Sequence, residues 1–321
     1  MESIANFLSN SIVCYNRTRN LFVKGENALN RHHPISRPKL KLPVRVVSVL
    51  LSIQLLAIAV LSGGGSANAA TEPASLQLSA RSAILMDAET GQIMYQKDAD
   101  IALPPASMSK MMTEYLVMKA VKNGTLQWDQ VVTVGENAAL QVGSRIFLAQ
   151  GDKHTVRELY IAMAVGSAND ASVQLAETVA GSEEEFVKLM NDTAKQLGMN
   201  DSVFVNETGL DRADMPEKYQ PTSVEGETVM SARDLATLAY HILKEEGQEF
   251  LEVSSMVEYK FRPRDKDTIK NINWMLEGYK DWPSVAKFSY EGVDGLKTGH
   301  TPTAGNCFTG TAMRNGTRLI A

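Results

Sequence analysis

Cysteine and histidine are scarce in this sequence, and their scarcity excludes several kinds of site. The 321 residues include two cysteines, Cys14 and Cys307, and five histidines. Cys14 lies in the N-terminal segment, which leaves Cys307 without a partner for an internal disulfide. The histidines show no metal-binding spacing, and no glycine-rich phosphate loop occurs. We therefore expect no metal and no cofactor, and we interpret Cys307 as a small core residue.

Positive charge is also scarce outside the N-terminus. Residues 1–70 contain eight Lys or Arg and two Asp or Glu. Residues 71–321 contain 24 Lys or Arg and 35 Asp or Glu. This acidic excess argues against a nucleic-acid partner.

The N-terminal segment has the pattern of a secretory signal. A basic region precedes a 16-residue apolar run, Val46–Leu61, and then the small-residue site Ala67-Asn68-Ala69. The run is shorter than the roughly 20 residues that cross a bilayer, so we favour cleavage after Ala69 over an uncleaved membrane anchor. We predict a basic pre-sequence and signal peptide over residues 1–69, and export of residues 70–321 across the cytoplasmic membrane to the cell-wall face.

Three short motifs follow one another in the exported part. They are Ser107-Met108-Ser109-Lys110, Ser167-Ala168-Asn169 and Lys297-Thr298-Gly299. Their order matches the S-x-x-K, S-x-N and K-T-G set of penicillin-binding proteins and class A β-lactamases. S-x-x-K and S-x-N also occur elsewhere in the chain, whereas K-T-G occurs once. The interpretation therefore depends on order and context.

The first motif predicts a serine nucleophile with a lysine base. Residues 108–121 contain no Gly or Pro, which favours a helix with Ser107 in its first turn. Residues three apart are neighbours on a helix, so Lys110 would lie beside Ser107. Burial and a nearby cation, for which Lys297 is the candidate, would lower the pKa of Lys110 and let it accept the serine proton. Free backbone N–H groups at this helix start suit a developing oxyanion.

The other two motifs predict binding groups around that serine. Leu159–Val165 is a run of apolar residues that favours a buried helix, and Gly166 allows a break before Ser167 and Asn169. Lys297 and Thr298 on a strand edge would supply a cation and a hydroxyl to a carboxylate. Gly299 would leave room for a ligand backbone.

From about Leu78 onward, the chain resembles a known family. The resemblance depends on these three motifs and on the stretches Pro105–Thr113, Ser231–Leu235 and Val293–Thr301. The chain resembles the serine D-alanyl-D-alanine carboxypeptidases, the low-molecular-mass penicillin-binding proteins of the peptidase S11 type. The resemblance implies removal of the terminal D-alanine from a peptidoglycan stem peptide ending in D-Ala-D-Ala. It also implies an acyl-enzyme on a serine and covalent inhibition by penicillins and other β-lactams.

The resemblance also implies a role for each motif residue. Ser107 would be the nucleophile, Lys110 the acylation base and Ser167 a proton relay, while Asn169 would orient either the substrate amide or Lys110. Lys297 and Thr298 would hold the terminal carboxylate beside Gly299. The backbone N–H groups of Ser107 and His300 would form the oxyanion hole, and we expect the His300 imidazole to be solvated.

Strand patterns at both ends of the exported part flank helical patterns in its middle. The predicted strands are 82–86, 92–95, 293–298, 306–313 and 317 onward, and the predicted helices include 183–197 and 231–245. On the first of these helices we expect Phe186, Leu189 and Met190 to share the buried face. This order predicts an α+β fold of the β-lactamase and penicillin-binding-protein kind, with an antiparallel sheet packed against a helical cluster.

The sequence stops early compared with the family it resembles. Family members continue with the rest of the last strand, a helix on the sheet, often a β-rich domain, and an amphipathic anchor. We therefore expect residues 70–321 to be a C-terminally incomplete catalytic domain of poor stability. Membrane contact would occur only through an anchor absent from this chain.

Two alternative functions stay open at this point. A class A β-lactamase shares the nucleophile but needs a glutamate that activates water, and Glu207 in Glu207–Asp211 superficially fits that loop. The same stretch also fits a loop of the carboxypeptidases, which we favour. A non-catalytic wall-binding module would keep the pocket without turnover, but the intact Ser107, Lys110 and Lys297 argue against it.

Overall fold

The computed structural model describes residues 76–321. The predicted signal peptide and its cleavage site lie outside these residues, so both stay predictions. Among the residues described, no helix has the length and apolar character needed to cross a bilayer.

The main sheet joins the beginning and the end of the described chain. Its five strands are β1 (Ala83–Asp87), β2 (Ile93–Lys97), β7 (Val293–Thr301), β8 (Gly305–Arg314) and β9 (Thr317–Ile320). They lie in the order β2-β1-β9-β8-β7, and all neighbours are antiparallel. Asn315 and Gly316, at φ 51° and 78°, form the tight turn between β8 and β9. The predicted antiparallel sheet is confirmed.

The middle of the chain supplies the helices. They are α1 (Lys110–Lys122), α2 (Glu136–Leu140), α3 (Val156–Gly166), α4 (Asn169–Ala180), α5 (Glu183–Gln196) and α6 (Ala232–Ser254). Two small hairpins accompany them, β3 (Val131–Thr133) with β4 (Lys153–Thr155) and β5 (Glu258–Tyr259) with β6 (Ile269–Lys270). The α+β class predicted from the sequence is confirmed.

The core lies where α1, α3 and α4 pack together. Ten of the 13 residues of α1 are buried, as are most residues of α3 and the first two turns of α4. A capping box starts α3, because Thr155 accepts a hydrogen bond from the Glu158 N–H while the Glu158 carboxylate accepts one from the Thr155 N–H. The sequence predicted a buried helix over Leu159–Val165, and this run lies within the buried helix α3.

Two helix predictions were wrong in detail. On α5 we expected Leu189 on the buried face, but it is 37% exposed and Val187 is fully buried instead. The buried stripe runs through Phe186, Val187 and Met190, and Leu189 lies beside it. Helix α6 continues past the predicted end at residue 245 because the burial of residues such as Phe250 offsets the cost, about 1 kcal/mol, of Gly247 within it.

Cys307 on β8 is half-buried and packs against the core. Burial raises the pKa of its thiol to about 11, which keeps it protonated at neutral pH. Its interpretation as a small apolar residue is thus confirmed in part, since the side chain is not fully enclosed.

Candidate active site

The nucleophile motif lies on a tight turn that leads directly into α1. Residues Ala106–Ser109 form a short 3-10 helix, and α1 begins at Lys110. Ser107 therefore lies just before the helix rather than inside its first turn. Nζ of the fully buried Lys110 lies 3.1 Å from Oγ of the half-buried Ser107. The expected proximity of serine and lysine is present.

Lys110 has two further partners, and both can only accept hydrogen bonds. Its Nζ donates to Oδ1 of Asn169 and to the backbone carbonyl of Thr208, each at 2.7 Å. Burial, reinforced by the charge of Lys297, lowers the pKa of Lys110 well below its ordinary value. A neutral amine has two N–H groups and one lone pair. With both N–H groups used by the acceptors, the lone pair is left for the hydroxyl of Ser107.

The second motif forms the junction between α3 and α4. Ser167 adopts a left-handed conformation at φ 55°, and Asn169 is the first residue of α4. The Asn169 amide is held at both ends, because Oδ1 accepts from Lys110 and Nδ2 donates to the carbonyl of Val142 at 2.6 Å. Of the two roles considered for Asn169, this geometry matches orientation of Lys110.

Two buried hydroxyls of the motifs have no hydrogen-bond partner within residues 76–321. They are Oγ of Ser167 and Oγ1 of Thr298. An unsatisfied buried hydroxyl costs about 1–3 kcal/mol, so both are available to a ligand. The relay role of Ser167 stays a prediction, since the hydroxyl bonds neither to Ser107 nor to Lys110.

The third motif lies on the edge strand β7, which packs against the nucleophile turn. Lys297 is buried, and its Nζ donates to the carbonyl of Thr298 at 2.9 Å. Burial lowers the pKa of Lys297 to about 8, although the charge of Glu114 opposes the shift. His300 is exposed, as expected. The oxyanion-hole role of its N–H group stays a prediction.

Gly299 lets β7 approach the nucleophile turn closely. A Cβ atom at this position would lie 2.8 Å from the carbonyl oxygen of Pro105 and 2.9 Å from the backbone nitrogen of Ser107. We expected this glycine to make room for a ligand backbone. The backbone that requires the space in this structure is the protein's own.

The loop after α5 contributes backbone groups that sequence reasoning missed. The carbonyl of Glu207 accepts from Oγ1 of Thr113 at 2.9 Å, next to the Thr208 carbonyl that accepts from Lys110. Asn206 fixes this loop by accepting from the N–H groups of Thr208 and Gly209. No sequence motif marks a backbone carbonyl, so nothing in the residue pattern could have identified this contact.

Buried carboxyl groups also lie behind the motif residues. Glu114 and Glu207 are buried almost completely, and Oε1 of Glu114 has no hydrogen-bond partner in the described chain. Burial, with the nearby charge of Glu183, raises the pKa of Glu207 well above its ordinary value. Glu114 could have been noticed as an acid one turn after Lys110 in an otherwise apolar stretch. Over residues 76–321, no three His, Cys, Asp or Glu side chains group as metal ligands.

Comparison with known proteins identifies the family. The sequence profile of the peptidase S11 family, described as D-alanyl-D-alanine carboxypeptidase, matches residues 66–321. The D-alanyl-D-alanine carboxypeptidase DacF of Bacillus subtilis is 38% identical over 275 residues, which are 85% of this chain and 64% of that protein. DacC of Escherichia coli is 34% identical over 248 residues, or 75% of this chain and 55% of the relative. The chain thus spans roughly three fifths of the length of these relatives.

Solved structures agree with this assignment. Penicillin-binding protein 3 of Streptococcus pneumoniae aligns with a TM-score of 0.67 and 36% identity, covering 75% of this chain and 65% of the other. Penicillin-binding protein D2 of Listeria monocytogenes, solved with cefotaxime bound, aligns with a TM-score of 0.63 and 34% identity. This alignment covers 77% of the present chain and 90% of the other. The chain therefore belongs to the peptidase S11 family of D-alanyl-D-alanine carboxypeptidases.

Proposed function

We propose that this protein is an exported serine DD-carboxypeptidase that removes the terminal D-alanine from peptidoglycan stem peptides through an acyl-enzyme on Ser107. Membership of the peptidase S11 family supports the reaction class. The N-terminal pattern of basic, apolar and small residues supports export. The whole proposal depends on one arrangement, the buried Lys110 amine next to the hydroxyl of Ser107.

The first half of the reaction follows from that arrangement. Lys297 and the free hydroxyl of Thr298 bind the terminal carboxylate of the substrate. Oγ of Ser107 attacks the carbonyl carbon of the scissile amide while its proton passes to Nζ of Lys110. The oxyanion that forms accepts hydrogen bonds from the N–H groups of Ser107 and His300.

The second half returns the proton and releases both products. As the C–N bond breaks, the proton on Lys110 passes to the leaving nitrogen, directly or through the hydroxyl of Ser167, and D-alanine departs. Water then attacks the ester on Ser107 and gives up one proton to the same base, and Ser107 regains a proton as the ester bond breaks. Lys110 thus acts as general base and general acid in turn.

β-Lactams are proposed to acylate the same serine. Penicillin-binding protein D2 of Listeria monocytogenes has been solved in cefotaxime-bound and ampicillin-bound forms. The present chain shares the S-x-x-K, S-x-N and K-T-G residues that would receive such a ligand.

The β-lactamase alternative is not favoured by the environment of Glu207. Its carboxyl group is fully buried, and burial raises its pKa well above the ordinary value. A water-activating base must be ionised and must contact the water. The burial of Glu207 works against both conditions, so rapid hydrolysis of a β-lactam acyl-enzyme through this residue is not expected.

The proposal is tested by labelling the protein with a fluorescent penicillin and by measuring D-alanine release from a peptide ending in D-Ala-D-Ala. We expect a covalent adduct on Ser107 and release of D-alanine, with both absent in Ser107→Ala. A Ser109→Ala variant is the matched control, because Ser109 lies on the same turn and its hydroxyl donates to the carbonyl of Ala106. An unlabelled wild-type protein would overturn the acyl-enzyme mechanism. Labelling without peptide hydrolysis would favour a non-catalytic module.

A further inference from the structure

The segment 142–148, between α2 and β4, belongs to none of the three motifs but is hydrogen-bonded to the second one. The carbonyl of Ser144 accepts from the backbone N–H group of Asn169 at 2.7 Å, and the carbonyl of Val142 accepts from its Nδ2 at 2.6 Å. Oδ1 of the same Asn169 accepts from Nζ of Lys110 at 2.7 Å. The side chain of Asn169 therefore joins this segment to the proposed base.

The backbone around Phe147 in this segment is held from two sides. The buried carboxylate of Asp170 accepts from the N–H groups of Ile146 at 3.1 Å and Leu148 at 3.0 Å. The guanidinium of Arg262 donates to the carbonyls of Ile146 at 3.1 Å and Phe147 at 3.2 Å. These contacts fix the chain on either side of Phe147.

Phe147 has a conformation that bulky residues rarely adopt. Its φ is 57°, in the left-handed region, where a bulky side chain is strained. The side chain is 73% exposed, whereas those of Ile146 and Leu148 are buried. Neither core packing nor backbone preference therefore explains a phenylalanine here. Strain of this kind persists only where surrounding contacts impose it, and such positions cluster at active sites and ligand clamps.

Arg145 stacks on this phenylalanine and has no acidic partner. The central carbon of its guanidinium lies 5.0 Å from the centre of the Phe147 ring. Its Nη1 donates to the carbonyl of Gln141 at 2.8 Å, and it forms no ion pair with any acid of residues 76–321. Residues 71–321 contain 24 Lys or Arg and 35 Asp or Glu, so this cation is exposed on an acidic domain. Its other N–H groups are available to a carboxylate.

The proposed binding of the substrate's terminal carboxylate leaves the Asn169 side of the site to the rest of the peptide. Because Lys297 and Thr298 take that carboxylate, the acyl portion, which precedes the scissile bond, leads away from β7. At the α3–α4 junction, Oγ of Ser167 is buried and has no partner in the described chain, so it is available to this portion. Segment 142–148 continues from that junction to the exposed side chains described above.

We propose that Arg145 and Phe147 form a binding subsite for the acyl portion of the substrate, and that this subsite selects peptides with a carboxylate on the side chain of the residue before D-Ala-D-Ala. Phe147 packs against the aliphatic part of that side chain, and Arg145 binds its carboxylate. This inference rests on the proposed carboxypeptidase function and names the substrate class within it. Neither residue takes part in proton transfer.

The test compares two synthetic peptides. Both are Nα-acetyl-L-lysyl-D-alanyl-D-alanine, with the lysine side-chain nitrogen carrying either a succinyl group, which ends in a carboxylate, or the corresponding succinamide, which is neutral. We expect wild-type kcat/KM for D-alanine release to be about fivefold higher for the succinyl peptide, the upper range for an exposed ion pair. The difference should appear mainly in KM, because the subsite acts on binding.

Variants at Arg145 assign that preference to its charge. Arg145→Gln should remove the preference while hydrolysing the succinamide peptide at the wild-type rate, and Arg145→Glu should reverse it. Arg157→Gln is the matched control and should keep the preference, because Arg157 also stacks on an aromatic ring, that of Trp128 at 5.9 Å, but lies on α3. A preference unchanged in Arg145→Gln would overturn the role of Arg145.

A variant at Phe147 tests the apolar half of the subsite. Phe147→Ala should raise KM for both peptides by about fivefold or more, as the loss of an aromatic binding contact does, and leave kcat unchanged. Met94→Ala, which truncates a side chain 48% exposed on β2, is the control and should leave both constants unchanged. Wild-type KM values in Phe147→Ala would overturn the role of Phe147.

The outcomes for the wild-type protein separate this inference from the proposed function. Equal kcat/KM values for the two peptides would overturn the selection for a carboxylate and leave the carboxypeptidase activity standing. A protein that hydrolyses neither peptide and is not labelled by fluorescent penicillin would overturn the proposed function itself.

Discussion

Nζ of Lys110 and Oγ of Ser107 lie 3.1 Å apart, across the junction between a 3-10 turn and a buried helix. The amine also donates to two groups that can only accept, Oδ1 of Asn169 and the carbonyl of Thr208. The remaining lone pair of a neutral amine can therefore point only toward the serine. In the proposed mechanism, these acceptors and the lowered pKa of the lysine together direct the serine proton to Nζ.

The first prediction concerns Lys110→Arg. A guanidinium holds its proton at any accessible pH and cannot act as the base. We expect acylation of Ser107 by penicillin to slow by about 100-fold to 10,000-fold, the range of general-base catalysis. The measurement is the rate of covalent labelling at a saturating concentration of fluorescent penicillin. Lys119→Arg, at an exposed position of the same helix, is the matched control, and labelling of Lys110→Arg at the wild-type rate would refute the role.

The second prediction concerns Asn169→Asp. The new carboxylate would lie against Nζ of Lys110, where Oδ1 of Asn169 now accepts at 2.7 Å. A negative charge favours the protonated amine, so the pKa of Lys110 should rise and the acid limb of the activity profile should move to higher pH. The check is kcat/KM for the D-Ala-D-Ala peptide measured between pH 5 and pH 9. An acid limb that moves the other way would contradict this account of the Lys110 environment.

The third prediction concerns Gly299→Ala. The added methyl group would meet the carbonyl of Pro105 and the backbone nitrogen of Ser107 at less than 3 Å. Forcing β7 away from the nucleophile turn should cost about 1–3 kcal/mol of stability, as overpacking generally does, and should displace the proposed oxyanion donors. Urea unfolding and the penicillin labelling rate measure the two effects.

A second glycine provides the control for that experiment. Gly247 lies inside α6, and a Cβ there would contact nothing within 4 Å. Gly247→Ala should therefore stabilise the protein by about 0.5–1 kcal/mol through helix propensity and leave labelling unchanged. Equal effects of the two substitutions on labelling would argue against a special place for Gly299.

The fourth prediction concerns the pH dependence of stability. Burial raises the pKa of Glu183 from 4.5 to about 7, although Asn137 donates a hydrogen bond to the carboxyl. Between these values the folded state binds the proton more tightly than the unfolded state, so this group's contribution is present at low pH and is lost as pH rises to about 7.

Glu183→Gln removes that dependence. The difference in free energy of unfolding, variant minus wild type, should be higher at pH 8 than at pH 5 by roughly 1–3 kcal/mol for a shift of this kind, because the wild type loses stability over this range and the variant does not. Urea unfolding at the two pH values measures the difference. Glu185→Gln, at an exposed position on the same helix, controls for the substitution itself. A Glu183→Gln variant that gains more stability over wild type at pH 5 than at pH 8 would contradict the prediction.

The sequence alone predicted the sheet and several helices because their patterns are local. The strands on either side of the turns at Gly91 and Gly316, and the apolar run of α3, can be recognised from neighbouring residues alone. Leu189 was misplaced because two overlapping stripes fit α5, and only packing chooses between them. Gly247 suggests a helix end locally, yet tertiary burial of the following turns carries α6 past it.

The candidate site divides in the same way. The three motifs alone predicted which side chains would carry the chemistry, since a serine, two lysines and an asparagine are recognisable as residue types in a fixed order. Only the tertiary structure decided that the Thr208 carbonyl completes the environment of Lys110 and that both lysines of the motifs are buried. The physical reason is that backbone acceptors have no residue signature, and that a buried charge acts through distance and desolvation, which exist only once helix, loop and strand are packed together.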